Sequence, residues 1–197
     1  MSDTYYTISA PSEGVYKEKG SRFLAFAYPL GDESEVRQLL TALKKKYYDA
    51  RHHCFAYRLG ASGEIWRASD DGEPSGTGGK PILGQLTSKN LTCVAIFVVR
   101  YFGGIKLGVS GLINAYRTAA ADAIANAEII EQEVKDTLTL KYSYDDMNPI
   151  MKIIKDMQAE IVEQNFDSEC YIKLRIRAGK TQELKSRLSN VDSITLI

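Results

Sequence analysis

The strongest constraint on the fold is an uninterrupted apolar run in the middle of the chain. Residues 92–101 read Thr-Cys-Val-Ala-Ile-Phe-Val-Val-Arg-Tyr, and most of them are β-branched or aromatic. A strand with only one buried face alternates apolar and polar residues, whereas a strand buried on both faces does not. The run is also much shorter than the ~20 apolar residues that span a bilayer. It predicts a central strand in a sheet covered by helices.

The segments around this run alternate between strand and helix patterns. Residues 15–19 and 22–30 predict a β-hairpin, because a short turn containing Gly20 separates them. Asp32 predicts a helix start, since a carboxylate there can cap the first turn and Glu35 follows three residues later. The other elements predicted before residue 130 are strands 54–59 and 64–68 and helices 81–87 and 112–127.

A change of composition at residues 131–135 predicts a domain boundary. It follows the Ala-rich helix and precedes an alternating strand, so the expected domains are residues 1–134 and 135–197. The second domain has strand patterns at 137–144, 161–164, 169–177 and 191–197, and helix patterns from Pro149 and over 181–188. The order β-α-β-β-α-β in about 60 residues matches the ferredoxin-like split βαβ unit, whose sheet has one open face. We therefore expect an α+β protein of two domains.

The charge of the chain is balanced overall and uneven locally. Lys and Arg number 25 and Asp and Glu number 25, so the whole chain has no general attraction to a polyanion. Residues 51–117 hold eight basic and four acidic side chains. This excess is either a local anion-binding surface or an ordinary fluctuation of surface charge.

Cysteine usage and the N-terminus indicate a cytoplasmic protein without membrane contact. The three cysteines, Cys54, Cys93 and Cys170, are widely spaced and form no C-x-x-C pair, which favours reduced thiols over disulfides or zinc ligands. Residues 1–5 contain no basic region followed by an apolar stretch, so no secretory signal is expected.

Residues 70–81 contain the densest group of candidate functional side chains. They lack the spacing of a phosphate-binding P-loop, a dinucleotide-binding fingerprint or a calcium-binding EF-hand. What remains is an acidic turn that leads into a glycine-rich helix start, where free backbone N–H groups can hold an anion. The alternative is that the glycines only shape the loop. The candidate binding residues here are Asp70, Asp71, Glu73, Ser75 and Thr77.

A second candidate region joins the end of the buried strand to the long helix. Strand ends and helix N-termini favour anionic ligands in open α/β sheets, and basic residues flank this glycine-rich turn. Plain strand–helix packing explains the glycines equally well. The candidates are Arg100, Lys106, Ser110 and Arg117.

The segment from Arg51 to Arg58, which overlaps the strand predicted at 54–59, supplies two further candidates, His52 and Arg58. Alternation places them on one face together with Cys54, which permits a Cys–His nucleophile pair. A packed cysteine and a hydrogen-bonded histidine are the favoured alternative, because no third group orients the base. With two histidines in the chain, a multi-histidine metal site is excluded.

One strand of the second domain has an aromatic and basic face. This face can stack on and neutralise single-stranded nucleic acid, or it can simply be solvated. The residues of this secondary nucleic-acid face are Tyr171, Lys173, Arg175 and Arg177.

Three separated motifs together match a known family. They are His52-x-Cys54-x-Ala56-Tyr57-Arg58, the run from Asp70 to Thr77, and Val98-Val99-Arg100-Tyr101-Phe102-Gly103-Gly104 followed by Leu107-Gly108 and Gly111-Leu112. With them, roughly residues 15–127 resemble the IMPACT/YigZ family, and the C-terminal part fits the family's usual second module. Ser110 and Asn114 depart from the pattern, because they stand where the family commonly has glycine and arginine.

The resemblance implies a fold and a field of activity. It implies an N-terminal domain of the left-handed βαβ kind, like elongation factor G domain IV, and a C-terminal domain like elongation factor G domain V. Eukaryotic members regulate translation initiation by competing for the activator of a starvation-responsive kinase. For bacterial members the resemblance points to nucleic-acid or ribosome binding.

Three functional hypotheses follow. The first is a non-enzymatic cytoplasmic regulator that binds RNA or the ribosome, with no catalytic residue, metal or cofactor. The second is an enzyme that binds a nucleotide or phosphate metabolite, since residues 107–112 loosely resemble the phosphate loop of galactokinase-type kinases. In that hypothesis Asp70, Asp71 or Glu73 holds magnesium. The third is a protein-binding regulator of a stress response.

Overall fold

The structure, a computed structural model, describes residues 3–166, 170–191 and 193–197 and divides into two units. The first unit is residues 5–132, and the second is the chain from residue 133 onward together with Asp3 and Thr4. Each unit mixes helices and strands, as the sequence predicted. The first domain predicted from the sequence, residues 1–134, includes residues 3 and 4, which the structure places with the second unit.

The first unit is built on a five-stranded sheet with the order β2-β3-β6-β4-β5. All neighbouring strands in it are antiparallel. The elements up to residue 133 are β1 (Thr4–Ile8), β2 (Ser12–Glu18), β3 (Ser21–Pro29), α1 (Glu33–Lys46), β4 (His52–Leu59), β5 (Ile65–Ser69), α2 (Gly79–Ser88), β6 (Val94–Tyr101), α3 (Gly108–Ala125) and β7 (Ile129–Glu133).

Strand β6 is the centre of this sheet, as its apolar run predicted. Its residues from Val94 to Val99 are fully buried. Ile96 and Val98 pack with residues of α2 and α3 on one face, while Phe97 and its alternate neighbours pack with α1 on the other. Helices thus cover both faces of the sheet.

The predicted start of α1 is confirmed, and that of α3 is wrong by four residues. The Asp32 carboxylate accepts hydrogen bonds from the N–H groups of Ser34 at 2.7 Å and Glu35 at 3.4 Å, as an N-cap does. Helix α3 begins at Gly108 rather than at Leu112. Gly108 has φ +73°, a conformation that glycine adopts without strain, so the chain enters the helix directly from the glycine-rich turn.

The second unit is a four-stranded antiparallel sheet with the order β11-β8-β10-β9. Its β-α-β-β-α-β element order agrees with the order predicted. The elements are β8 (Lys135–Tyr142), α4 (Met147–Asp156), β9 (Glu160–Asn165), β10 (Cys170–Arg177), α5 (Thr181–Leu188) and β11 (Thr195–Leu196).

The last strand is shorter than predicted. Residues 191–197 were expected to form it, but Val191 donates its N–H to the carbonyl of Leu188 at 3.0 Å and so still belongs to the turn after α5. Residue 192 lies outside the described residues. Strand β11 consists of Thr195 and Leu196 paired with β8, and the Ile197 N–H donates to the carbonyl of Thr139 at 2.9 Å.

The core of the second unit lies on one side of its sheet. Ile172, Leu174 and Ile176 alternate along β10 and are buried against Ile150 of α4 and Leu184 of α5. The intervening residues lie on the opposite face, which no helix among the described residues of this unit covers. The predicted alternation of β10 is confirmed.

Two strands were missed. Strands β1 and β7 pair with each other in a separate two-stranded sheet. Strand β7 is mostly exposed and reads Ile-Ile-Glu-Gln-Glu, so its sequence lacks the alternation that marks a half-buried strand. Among the described residues, no helix is both long and apolar enough to cross a membrane.

Candidate functional site

The first unit has a pocket of about 470 Å³ where β6 ends and α3 begins. Its volume falls within the ~300–1,000 Å³ that small-molecule sites occupy. We call it the Arg100 pocket. It is lined by Arg51, His52, Glu73, Pro74, Arg100, Phe102, Lys106, Leu107, Gly108, Val109 and Leu112. These residues come from the start of β4, the loop before α2, the end of β6 and the first turn of α3.

A buried ion pair forms the floor of the pocket. The Arg100 Nη1 group donates to Glu73 Oε1 at 2.6 Å, and the same oxygen accepts from the Tyr116 hydroxyl at 2.8 Å. Arg100 is 7% exposed and Glu73 is 8% exposed. Burial also raises the pKa of Tyr116, so its hydroxyl stays protonated and donates. Arg100 is therefore committed to Glu73 and not free for an incoming phosphate.

One polar atom of this network is left over. The Arg100 Nε is buried and has no hydrogen-bond partner among the described residues. The guanidinium lies over two aromatic rings, 5.5 Å from the centroid of Phe23 and 5.7 Å from that of Phe102. Arg100 thus connects the buried ion pair to the aromatic side chain at the pocket wall.

The loop before α2 folds around the Asp70 carboxylate. Asp70 Oδ2 accepts from the N–H of Gly76 at 2.8 Å, and Oδ1 accepts from the N–H groups of Gly78 at 2.9 Å and Gly79 at 2.8 Å. Burial raises the pKa of Asp70, but the three N–H donors and the charge of Lys80 together hold that pKa below its ordinary value of 3.8. The N–H groups that the sequence offered to an external anion are therefore occupied by Asp70.

Close packing explains the glycines of the same loop. A Cβ atom on Gly78 would lie 2.6 Å from Cys54 Sγ, and one on Gly79 would lie 2.5 Å from the Ser69 nitrogen. The Thr77 hydroxyl, which is buried, donates to the Pro74 carbonyl at 2.7 Å. These contacts support the loop-shaping alternative.

Asp71 joins the loop to β4 and α1. Its carboxylate accepts from the N–H of His53 at 2.7 Å and from Lys44 Nζ at 3.0 Å. Its carbonyl oxygen lies 2.9 Å from the ring Nδ1 of His52. Burial lowers the pKa of His53. Both histidines thus lie around the backbone of this loop.

Cys54 is a packed residue. It is fully buried, and its Sγ donates to the Asp70 carbonyl at 3.0 Å. Burial raises the pKa of the thiol well above its ordinary value, so a nucleophilic thiolate is disfavoured. The structure supports the packed-cysteine alternative over a Cys–His nucleophile pair.

Two basic side chains at the pocket are unengaged. Within the part of the chain that the structure describes, neither Arg51 nor Lys106 has a hydrogen bond or ion pair. They lie beside the first turn of α3, where Leu107 supplies no side-chain cap and the backbone N–H groups carry partial positive charge. Glu73 neutralises Arg100, but the charges of Arg51 and Lys106 are not neutralised within the described residues. This region can therefore attract an anion.

The pocket brings together only some of the predicted residues. His52, Glu73, Arg100 and Lys106 line it. The exposed residues Ser75, Ser110 and Arg117 are not among the lining residues. Asn114, where the family commonly has arginine, donates to the Tyr16 hydroxyl at 3.5 Å.

The candidate Arg58 lies away from Arg100. His52 lies opposite Arg100 in the sheet register, whereas Arg58 lies opposite Val94 at the other end of β6. The Arg58 guanidinium donates to the carbonyls of Leu91 at 2.9 Å and Ser62 at 3.1 Å. Arg58 and Arg100 therefore do not share one site.

Sequence reasoning missed three residues that shape the pocket mouth. Arg51 precedes β4, Phe102 follows β6, and Val109 lies in the first turn of α3. Arg51 and Val109 are next to the candidates His52 and Ser110 in sequence, and Phe102 is two residues from Arg100. A signal for Arg51 and Phe102 was a basic or aromatic residue flanking a buried strand.

The aromatic and basic residues of β10 do share one face, which we call the open sheet face: Tyr171, Lys173, Arg175 and Arg177. Tyr171 donates its hydroxyl to Glu163, and Lys173 is also opposite Glu163 in the register. Arg175 lies opposite Glu160. The Arg177 guanidinium donates to Asp3 at 2.5 Å and to Glu133 at 3.0 Å.

The carboxylates that the enzyme hypothesis assigns to magnesium, Asp70, Asp71 and Glu73, are not arranged as a metal site. Among the described residues, no group of three or more His, Cys, Asp or Glu side chains is arranged to hold a metal ion. Asp70, Asp71 and Glu73 each accept hydrogen bonds from the protein itself. The structure thus provides no feature that favours the magnesium-dependent hypothesis.

Comparison with known proteins gives consistent matches. The family model of the Impact N-terminal domain matches residues 19–124. IMPACT family member YvyE of Bacillus subtilis (strain 168) is 31% identical over 177 residues, which cover 88% of this chain and 82% of that protein. An IMPACT family member of Haemophilus influenzae is 32% identical over 190 residues, 93% of this chain and 91% of its own length. A crystal structure of an hypothetical protein has a TM-score of 0.79 at 28% identity, covering 100% of this chain and 98% of that one.

Proposed function

The chain belongs to the IMPACT family, and we propose that it is a non-enzymatic cytoplasmic regulator, linked to translation, that binds RNA, alone or within the ribosome. The proposed contact is the Arg100 pocket. The link to translation rests on the resemblance to family members that regulate initiation. Family membership supports the proposal without fixing it, because one fold carries many functions.

One observation carries the proposed binding site. Arg51 and Lys106 lack partners among the described residues and lie in a concave pocket beside the uncapped N-terminus of α3. Unpaired cations and free backbone N–H groups together attract phosphate. Both side chains are exposed, so they are accessible to an incoming phosphate.

The architecture proposed for the two units follows the resemblance. We propose that residues 1–134 are a left-handed βαβ domain like elongation factor G domain IV. Residues 135–197 are proposed to be a ferredoxin-like domain similar to elongation factor G domain V. The strand order β11-β8-β10-β9 of the second unit supports the second assignment.

The test is RNA binding measured as a function of salt. Two phosphates neutralised by Arg51 and Lys106 give a log–log salt slope near −1.4 for single-stranded RNA, at ~0.7 per phosphate. Raising salt from roughly 50 to 200 mM then weakens binding about sevenfold. Lys106→Ala is expected to flatten the slope by about 0.7 for all sequences alike, because the side chain contacts phosphate and not a base.

Lys89→Ala is the matched control, since Lys89 is an exposed cation of the same unit at the end of α2. It is expected to leave both affinity and slope unchanged. Tight, salt-insensitive and magnesium-dependent binding of one nucleoside triphosphate would overturn the proposal in favour of the enzyme hypothesis. Absence of binding to both ligand classes would favour the protein-binding regulator.

A further inference from the structure

The mouth of the Arg100 pocket is apolar as well as basic. Phe102 is 48% exposed and Val109 is 59% exposed, and both line the pocket. Ile105, between them in sequence, is 57% exposed. Neighbouring apolar side chains left in water mark an interaction site more often than single ones do. A site for phosphate alone has no use for these side chains.

The Phe102 ring is held in a defined environment. The Arg100 guanidinium lies 5.7 Å from its centroid, and Arg100 is itself fixed by Glu73 at 2.6 Å. A ring that is both half-exposed and supported from beneath loses little freedom when a flat group stacks on it. Nucleic-acid bases are flat groups that stack on aromatic and guanidinium planes.

We infer that the Arg100 pocket holds one unstacked base of single-stranded RNA, with the base on Phe102 and its phosphate at Arg51 and Lys106. This inference rests on the proposed function and adds the mode of recognition. The apolar wall and the unpartnered cations are then used together by one nucleotide. Duplex RNA offers no such nucleotide, because its bases are stacked and paired.

The inference assigns different tasks to the two kinds of side chain. Lys106 contributes to affinity through counterion release and therefore to the salt slope. Phe102 contributes through stacking, which does not change the number of ions released. Substituting each residue in turn therefore separates phosphate binding from base binding.

The experiment compares two oligomers with the same number of phosphates, oligouridylate and an abasic oligomer, by fluorescence anisotropy on the full chain. We expect the wild-type protein to bind oligouridylate more tightly. Phe102→Ala is expected to weaken oligouridylate binding about 5- to 150-fold, the range for loss of one stacked base. Its salt slope and its affinity for the abasic oligomer are expected to stay at the wild-type values.

Two further variants control for folding and for surface aromatic residues. Phe102→Tyr keeps the ring and is expected to retain the wild-type preference for oligouridylate. Tyr48→Ala removes a side chain that is 84% exposed at the end of α1, outside the pocket, and is expected to change nothing.

The outcomes separate the two proposals. Equal affinity for both oligomers, or an equal loss for both in Phe102→Ala, would overturn the base pocket and leave the proposed function standing. Absence of binding to either oligomer by the wild-type protein would overturn the proposed function as well. Tighter binding of duplex than of single-stranded RNA would also overturn the base pocket.

Discussion

The Arg100 pocket and the open sheet face both combine basic with aromatic side chains, but the basic side chains of the two surfaces have different neighbours. In the pocket, one cation is buried in an ion pair, and Arg51 and Lys106 have no partner among the described residues. On the open sheet face, Lys173 and Arg175 have no ion pair among the described residues either, but each lies opposite a glutamate in the strand register, Glu163 and Glu160. A nearby carboxylate offsets part of a cation's attraction for phosphate.

On the proposed function, the distinction between the two surfaces lies in nearby acidic side chains rather than in the number of cations. Residues 135–197 contain ten basic and ten acidic side chains, and residues 51–117 contain eight and four. The local excess in the sequence therefore pointed to the region where Arg51 and Lys106 lie without partners among the described residues. It did not identify which cations are unpaired, since Arg58 and Arg100 both have partners.

The largest expected effect comes from breaking the ion pair beneath the pocket. Glu73→Gln leaves the 7% exposed Arg100 with a charge that nothing neutralises. We expect the free energy of unfolding to fall by about 3–5 kcal/mol, as for other broken buried pairs. Urea denaturation followed by the fluorescence of Trp66, the single tryptophan, measures it in this unit.

The matched control is Glu160→Gln, which breaks the exposed pair between Lys135 and Glu160 at 3.5 Å. We expect a loss of at most about 1 kcal/mol, because both groups remain solvated. Far-UV circular dichroism follows this unit. Equal losses for the two variants would show that the comparison between a buried and an exposed network is wrong.

The next effect concerns the loop that closes around Asp70. Asp70→Asn replaces a carboxylate that accepts three backbone N–H groups, so we expect a loss of about 1–3 kcal/mol at neutral pH. Because the folded pKa of Asp70 lies below its ordinary 3.8, this stabilisation is complete above that value and is lost as the pH falls through the folded pKa. Unfolding of both proteins at steps from about pH 7 to about pH 3 measures the difference.

The gap between wild type and Asp70→Asn is therefore expected to narrow in acid. Asp145→Asn serves as the control, since Asp145 is exposed and shows no hydrogen bond among the described residues. A gap that stays constant or widens as the pH falls would contradict the role given to the Asp70 carboxylate.

Local patterns in the sequence predicted much of the fold. The apolar run identified β6, because its burial on both faces leaves a direct trace in composition. The predicted bounds of α5 match the structure. Asp32 was recognisable as the cap of α1 because it accepts hydrogen bonds from residues that closely follow it in sequence. Strand β7 was missed because an exposed strand leaves no such trace.

The site was harder, because its contacts join residues that are distant in sequence. Alternation correctly put Arg58 on the same face as His52 but says nothing about position along the strand. Six residues at ~3.3 Å each separate them by about 20 Å. The partnership of Arg100 with Glu73 spans 27 residues and depends on where the loop folds back. The spacing of residues in the sequence does not indicate that the folded loop brings Glu73 to Arg100.

The smallest expected effect is on the open sheet face itself. The double variant Lys173→Ala/Arg175→Ala removes two cations that lie opposite Glu163 and Glu160. Because an acidic neighbour offsets part of each charge, few counterions are expected to be released there on RNA binding, and affinity is expected to fall less than about threefold. The salt slope is expected to change by less than the ~0.7 assigned to one phosphate. Fluorescence anisotropy with oligouridylate, beside Lys106→Ala as the reference, measures both quantities.

A double variant that loses as much affinity as Lys106→Ala would make the open sheet face the main RNA contact and reverse the comparison. In that event its exposed cations would bind phosphate despite their acidic neighbours, and the presence of such neighbours would no longer explain which surface binds.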